Sequence, residues 1–247
     1  MLPRALLTAA IAALVLVVAG FAVVVFLAPS RGLSGNSGSD AASPSWAPPG
    51  EPPARAAIAT GPGASGVADA EWLASTAKRT GIPQRALAAY AGVALLKSDA
   101  MPACGLSWST LAGVGYVESR HGTYNGSSAG PDGTVTPPIF GIALDGGSTE
   151  NVPDSDRGAI DGDATIDRAV GPMQLIPQTW RNWHIDASGD GVEDPQNIDD
   201  ATMATANYLC RASGDMTTEA GWRAGIGAFN GADSYIRKVA AAAVSYN

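Results

Sequence analysis

Apolar positions fall into three regimes along the chain. From Ala5 to Ala28 they run on for 24 residues without a charge. Over residues 29–67 no period survives. Beyond Ala68 they recur at three- and four-residue spacing, which is the period of a helix with one buried face. That spacing predicts helices over 71–80, 85–96, 108–121, 172–183, 200–212, 219–229 and 233–246. Local signals bound them. Gly81 separates the first two and Pro83 opens the second. Ser107 is placed to cap the third and Gly122 to close it in a left-handed conformation. Asp199 or Asp200 caps the fifth, with Gly214 beyond its end. Residues 122–167, rich in Gly, Pro and Asp, are too irregular for a helix, and a loop of that length in a compact domain points to function. No strand alternation of any strength appears. The reading is a mainly α domain over 68–247.

The first regime is long enough to span a bilayer with some tilt. It ends Phe26-Leu27-Ala28-Pro29 without a convincing small-x-small cleavage site, so residues 1–28 read as an uncleaved signal anchor. Arg4 and the initiating amine favour a cytoplasmic N-terminus, although Arg31 weakens the asymmetry. The expectation is a single-pass membrane protein with its domain outside the cytoplasm, or a secreted one if the anchor is removed. Residues 29–67 hold seven Pro, seven Gly and seven Ser. That composition predicts a flexible linker, because it offers too little apolar surface to offset ordering entropy.

Charge narrows the partners. The chain carries a formal net charge of −8, and residues beyond 67 hold 12 bases against 21 acids. An acidic domain with no basic cluster argues against nucleic acid and leaves neutral sugars and cations as ligands. The two cysteines, Cys104 and Cys210, are too few for a zinc site. In an exported chain a disulfide is favoured over two buried thiols.

Four stretches carry candidate chemistry. Glu118 lies in the last turn of the 108–121 helix, where the helix dipole opposes ionisation, and Val114 and Gly115 make one flank apolar. Both effects raise a carboxylate's pKa, as a general acid near neutral pH requires. Gly171-Pro172 lets backbone approach a ligand, and Gln174 offers a donor and an acceptor to a sugar. Asp186, Ser188 and Asp190 with Gly191 and the Val192 carbonyl follow the start of a calcium loop, which Asp200 would close. The competing reading of that stretch is an Asx-rich turn that needs no ion. Finally, Asn230 sits at the junction of two helices, beside Phe229.

Taken together and in order, these pieces resemble the lytic murein transglycosylase B family, in particular its exported actinobacterial forms. The resemblance covers roughly 68–247. It rests on Glu118-Ser-Arg-His-Gly122, Ala169-Val-Gly-Pro-Met-Gln174 with Pro177 and Trp180, Asp186-Ala-Ser-Gly-Asp-Gly191, Ala206-Asn-Tyr-Leu209 and Phe229-Asn230. It implies a lysozyme-like helical fold and an enzyme that cleaves the β-1,4 bond between N-acetylmuramic acid and N-acetylglucosamine, leaving a 1,6-anhydromuramoyl end. Glu118 would be the acid and then the base; Gln174, Asn230, Met173 and Ser119 would bind substrate or line the cleft. The substrate would be glycan strands of peptidoglycan and the protein a monomer. The chemistry would need no cofactor, and Asp186, Ser188, Asp190, Val192 and Asp200 would hold a structural calcium ion. Phe229 stands where the family commonly has Tyr, which voids any role for that hydroxyl, and Leu175 replaces a frequent Phe. Two other classes stay open: a muramidase in which Asp132, Asp145, Asp161, Asp163 or Asp167 activates water, and a wall-binding module without turnover.

Overall fold

The computed structural model describes residues 43–147 and 149–247. The signal anchor expected over 1–28 and the linker residues 29–42 lie outside them. Among the described residues no helix is long and apolar enough to cross a membrane.

Seven α-helices dominate: α1 (Ala70–Thr80), α2 (Gln84–Ala100), α3 (Trp108–Ser119), α4 (Pro177–Trp183), α5 (Ile198–Ser213), α6 (Glu219–Phe229) and α7 (Asp233–Tyr246). Side chains cap four of them: Ser107 does so as expected, whereas α5 is capped by Asn197 and not by Asp199 or Asp200, which lie inside its first turn. Asp69 accepts from the Trp72 amide, Ser107 from Thr110, Asn197 from Asp199 and Thr218 from Gly221. α2 and α3 are apolar nearly all round, and both are buried nearly all round. α3 runs between α2 and α7, with its largest contact to α7, and α5 packs on α2 and α6. Small residues allow the closeness. A Cβ on Gly115 of α3 would lie 2.1 Å from the Tyr90 hydroxyl of α2. Trp222, Tyr90, Tyr235, Leu87 and Leu111 are the large side chains of the core. Cys104 and Cys210 form a disulfide across a sequence separation of 106, tying the approach to α3 to the last turn of α5.

Three expectations need correction. Residues 43–67, expected as part of a flexible linker, lie along the helical body. Ala47 and Ala64 are buried, and Trp46 packs on the core. The one-turn helix Ala64–Val67 reaches α2 at Gly92, where a Cβ would stand 1.8 Å from the Ala64 carbonyl oxygen. Composition alone misjudged the stretch because its ordering comes from grooves and donors on the body rather than from its own apolar period.

Strands also exist where none was expected. β1 (Ser128–Ala129) pairs with β2 (Val135–Thr136), and β3 (Phe140–Ala143) with β4 (Arg168–Val170), both antiparallel. They are too short for alternation to register. The helix expected from 172 begins at Pro177. Gln174 turns back at φ 48°, and Leu175 pairs with Val170 before α4 can start.

Candidate active site

Glu118 occupies the last turn of α3 and is half-buried. Its Oε1 accepts a hydrogen bond of 2.5 Å from the Tyr235 hydroxyl on α7. Burial raises its pKa to about 7, against the downward pull of that hydrogen bond. A carboxyl poised there is protonated and ionised in comparable amounts near neutral pH, which suits a group that must give a proton and then take one. Burial also holds the Tyr235 hydroxyl well above its usual range, with the neighbouring carboxylate adding to the effect, so it remains a donor.

The turn after Glu118 differs from expectation. The left-handed conformation begins at Arg120 (φ 55°) and continues through His121 (φ 64°) to Gly122 (φ 78°). Two side chains hold this unusual run. Ser119 Oγ donates to the Pro172 carbonyl at 2.6 Å and accepts from the Gly122 amide at 2.7 Å. His121 sits between the Tyr90 hydroxyl at Nδ1 (3.3 Å) and the Tyr246 hydroxyl at Nε2 (3.1 Å). Burial, reinforced by the Arg120 charge, pushes His121 down to about 4, so the imidazole is neutral. Ser119 was expected to touch substrate. Only 1% exposed, it instead bolts the end of α3 to the Gly171-Pro172 turn.

That turn brings the second motif to the first. Gln174 is partly exposed, its Nε2 donating to the Gly171 carbonyl at 2.9 Å. β3 passes close by at Gly141, where a Cβ would stand 2.9 Å from Gln174 Oε1. Gln174, Leu175, Ile176, Thr179, Tyr208 and Phe229 line a small cavity, so the Gln174 turn and the α6 terminus face one space. Met173, expected to line the cleft, is fully buried in the core. Asn230 ends α6 and is 7% exposed, its Oδ1 accepting from the Ala232 amide at 3.1 Å, which shapes the turn into α7.

Tyr235 is the residue the sequence did not disclose. It comes from α7, and its ring stacks on Phe229 at 6.3 Å and 11°. Phe229 in turn packs on Tyr208, and Tyr208 on Trp183. No local spacing signals a partner 117 positions from Glu118.

The calcium expectation meets a loop already satisfied by its own backbone. Asp186 accepts from Ser188 Oγ and from the amides of Gly189 and Gly191. Asp190 accepts from the Val192 amide. Asp200, fully buried, accepts from the amides of Ala187, Ser188 and Asp194. These hydrogen bonds form an Asx-rich turn, and among the described residues the three acids of this loop do not bring ligand oxygens to one centre as a cation site requires. Among the described residues, three acidic ligand atoms converge instead at Asp154, Asp156 and Asp167. There Asp154 binds the amides of Asp156, Arg157 and Gly158, and Asp167 binds Ser155.

Comparison with known families finds the Transglycosylase SLT domain over residues 154–239. No curated protein and no solved structure matches the chain. The matched segment covers less than half of the chain; it holds Gln174, Asn230 and Tyr235 and begins after the helix that carries Glu118. The match marks this protein as an enzyme, a peptidoglycan lytic transglycosylase.

Proposed function

We propose that the enzyme cleaves the β-1,4 MurNAc–GlcNAc bond with Glu118 as its single acid and base, releasing a 1,6-anhydromuramoyl end, in the manner of the lytic murein transglycosylase B family. The observation that carries this reading is the pairing of a half-buried carboxyl, held near pKa 7, with the Tyr235 hydroxyl. Protonated Glu118 gives its proton to the glycosidic oxygen as the bond to C1 breaks. The resulting carboxylate takes the proton of the muramoyl C6 hydroxyl as that oxygen bonds to C1. No water enters, and the carboxyl ends as it began. Tyr235 steadies the ionised state between the two steps. Gln174, beside the Tyr208 and Phe229 rings, offers the polar contact for a sugar.

The muramidase alternative needs a second carboxylate free to activate water. Each candidate accepts hydrogen bonds from its own loop or strand, and none has a hydrogen bond to Glu118. Asp132 holds Thr134 and Asp145 the Gly147 amide. Asp161 holds the Arg168 amide, Asp163 pairs with Arg168, and Asp167 binds Ser155. Anchoring of the domain outside the membrane through residues 1–28 and action as a monomer complete the proposal. Mass spectrometry of muropeptides released from sacculi decides the chemistry. Anhydro ends lie about 18 Da (one water) below hydrolysed ends, and release of reducing ends alone would overturn it.

A further inference from the structure

Residues 43–53 are bound to the helical body chiefly through their backbone carbonyls. Arg237 Nη1 donates to Ser43 (3.1 Å), Arg223 Nη1 to Ser45 (2.8 Å), Asn247 Nδ2 to Pro48 (2.9 Å) and Trp108 Nε1 to Glu51 (3.0 Å). Ala47, 1% exposed, is the apolar plug between these bonds. Pro53 is buried and Trp46 packs on the core. A cavity of about 260 Å³ remains between Pro49–Pro53 and the floor of Leu95, Leu106 and Trp108. The segment is a proline-rich strap, and proline-rich backbone keeps its carbonyls free for such donors.

Both guanidiniums that hold the strap do a second job. Arg223 pairs with Asp233 at 3.0 Å and Arg237 with the same carboxylate at 2.7 Å. Asp233 opens α7, and Tyr235, which holds Glu118, is two residues further on. The strap carbonyls therefore fix the far side of Arg223, which clamps the first turn of α7 onto α6, and of Arg237, which braces that turn from within α7. Trp108, at the start of α3, reaches the same strap, so the strap spans the helix of Glu118 and the helix of Tyr235.

We propose that the strap of residues 43–53, through Arg223 and Arg237, positions Tyr235 against Glu118, so that occupancy of the strap sets the activity of the site. Because the strap continues directly into the N-terminal residues, whatever restrains or pulls those residues acts on the catalytic pair through α7. The inference rests on the reading of Glu118 as acid and base. Among the described residues Tyr235 is the ionisable group in hydrogen-bond contact with Glu118. Tyr116 and Arg120, from the same end of α3, stack on each other, and Tyr116 also packs on His121.

The test is the pH dependence of kcat/KM for muropeptide release by the full chain. Tyr235→Phe is the reference variant. Removing a hydrogen bond to a charged group raises the Glu118 pKa by about one to two units, so the alkaline limb moves to higher pH by that amount. Arg223→Met with Arg237→Met removes the strap's donors, and Ala47→Asp expels the strap by placing a carboxylate in its plug. Both leave the residues of the cleft in place. Each is expected to lower kcat/KM and to move the alkaline limb in the same direction as Tyr235→Phe, with chymotrypsin cleavage after Trp46 accelerated and the far-UV spectrum retained. If the strap variants lose thermal stability or become protease-sensitive while the limb stays at the parent value or moves down, the strap is a stabilising segment only and the inference falls. If Tyr235→Phe itself leaves the limb in place, the reading of Glu118 fails first and takes the inference with it.

Discussion

Replacing Glu118 by glutamine changes one proton and almost no volume, which makes it the sharpest probe of the site. The folded chain holds this carboxyl at about 7, against an ordinary value of 4.5. Between those values the folded state binds more protons than the unfolded state. Stability therefore falls as pH rises through that window and levels off above it. A shift of that size corresponds to about 3 kcal/mol, at 1.36 kcal/mol per unit. The solvent-facing edge of the carboxyl makes this an upper bound. The amide of the Glu118→Gln variant carries no charge at any pH, and its carbonyl still accepts from Tyr235. The variant should therefore match the parent near pH 4 and exceed it above pH 7, by up to about 6–12 °C in Tm for a domain of this size. His121, held near 4, contributes in the opposite direction, losing stability as pH falls below its usual range. The quantity to plot is thus the difference between variant and parent at each pH, from which His121 cancels. Thermal unfolding from pH 4 to 9 measures it, and muropeptide release in parallel should fall by at least the ~10²–10⁴ expected for loss of a general acid. A difference that is flat with pH would refute the burial argument, and undiminished release would refute the role of Glu118.

Other outcomes follow from the same geometry. Ser119→Ala leaves the buried Pro172 carbonyl and Gly122 amide unpaired; it should cost about 1–3 kcal/mol and reduce kcat more than it changes KM, checked by denaturant unfolding and kinetics. Asp200→Ala strips the acceptor from the amides of Ala187, Ser188 and Asp194, so it should lower Tm alike in calcium and in chelator; a calcium-dependent Tm in the parent domain would restore the cation reading. Reduction of Cys104–Cys210 opens a loop of about a hundred residues and should lower stability by up to about 4–5 kcal/mol, and alkylation of the unreduced, unfolded chain should find no free thiol.

Much of the scaffold was legible in the chain. The helix that begins at Ser107 announces itself by a capping side chain next to an apolar period, and α5 and α6 by the period alone. These signals are local and need no partner. The direction of the Glu118 shift was readable from the apolar flank of its helix, but its cause is burial, which the packing of that helix supplies. The pairing of Cys104 with Cys210 needed only two cysteines and the expectation of export. The partners, by contrast, came from the packing of distant segments. Tyr235 reaches Glu118 because α7 lies along α3, and nothing within either helix specifies that contact. Ser119 and Met173 read as cleft residues, but the Gly171-Pro172 turn folds against the end of α3 and buries both. The carboxylates of 186–200 looked equally fit for an ion or for a turn, and only the folded chain shows that the amides of Ala187, Ser188 and Asp194 gather on Asp200. Residues 43–53 have no period of their own, so their order was invisible until the arginines of α6 and α7 met their carbonyls. Periodicity encodes which face of a helix avoids water; the identity of what covers that face is a property of the assembled chain.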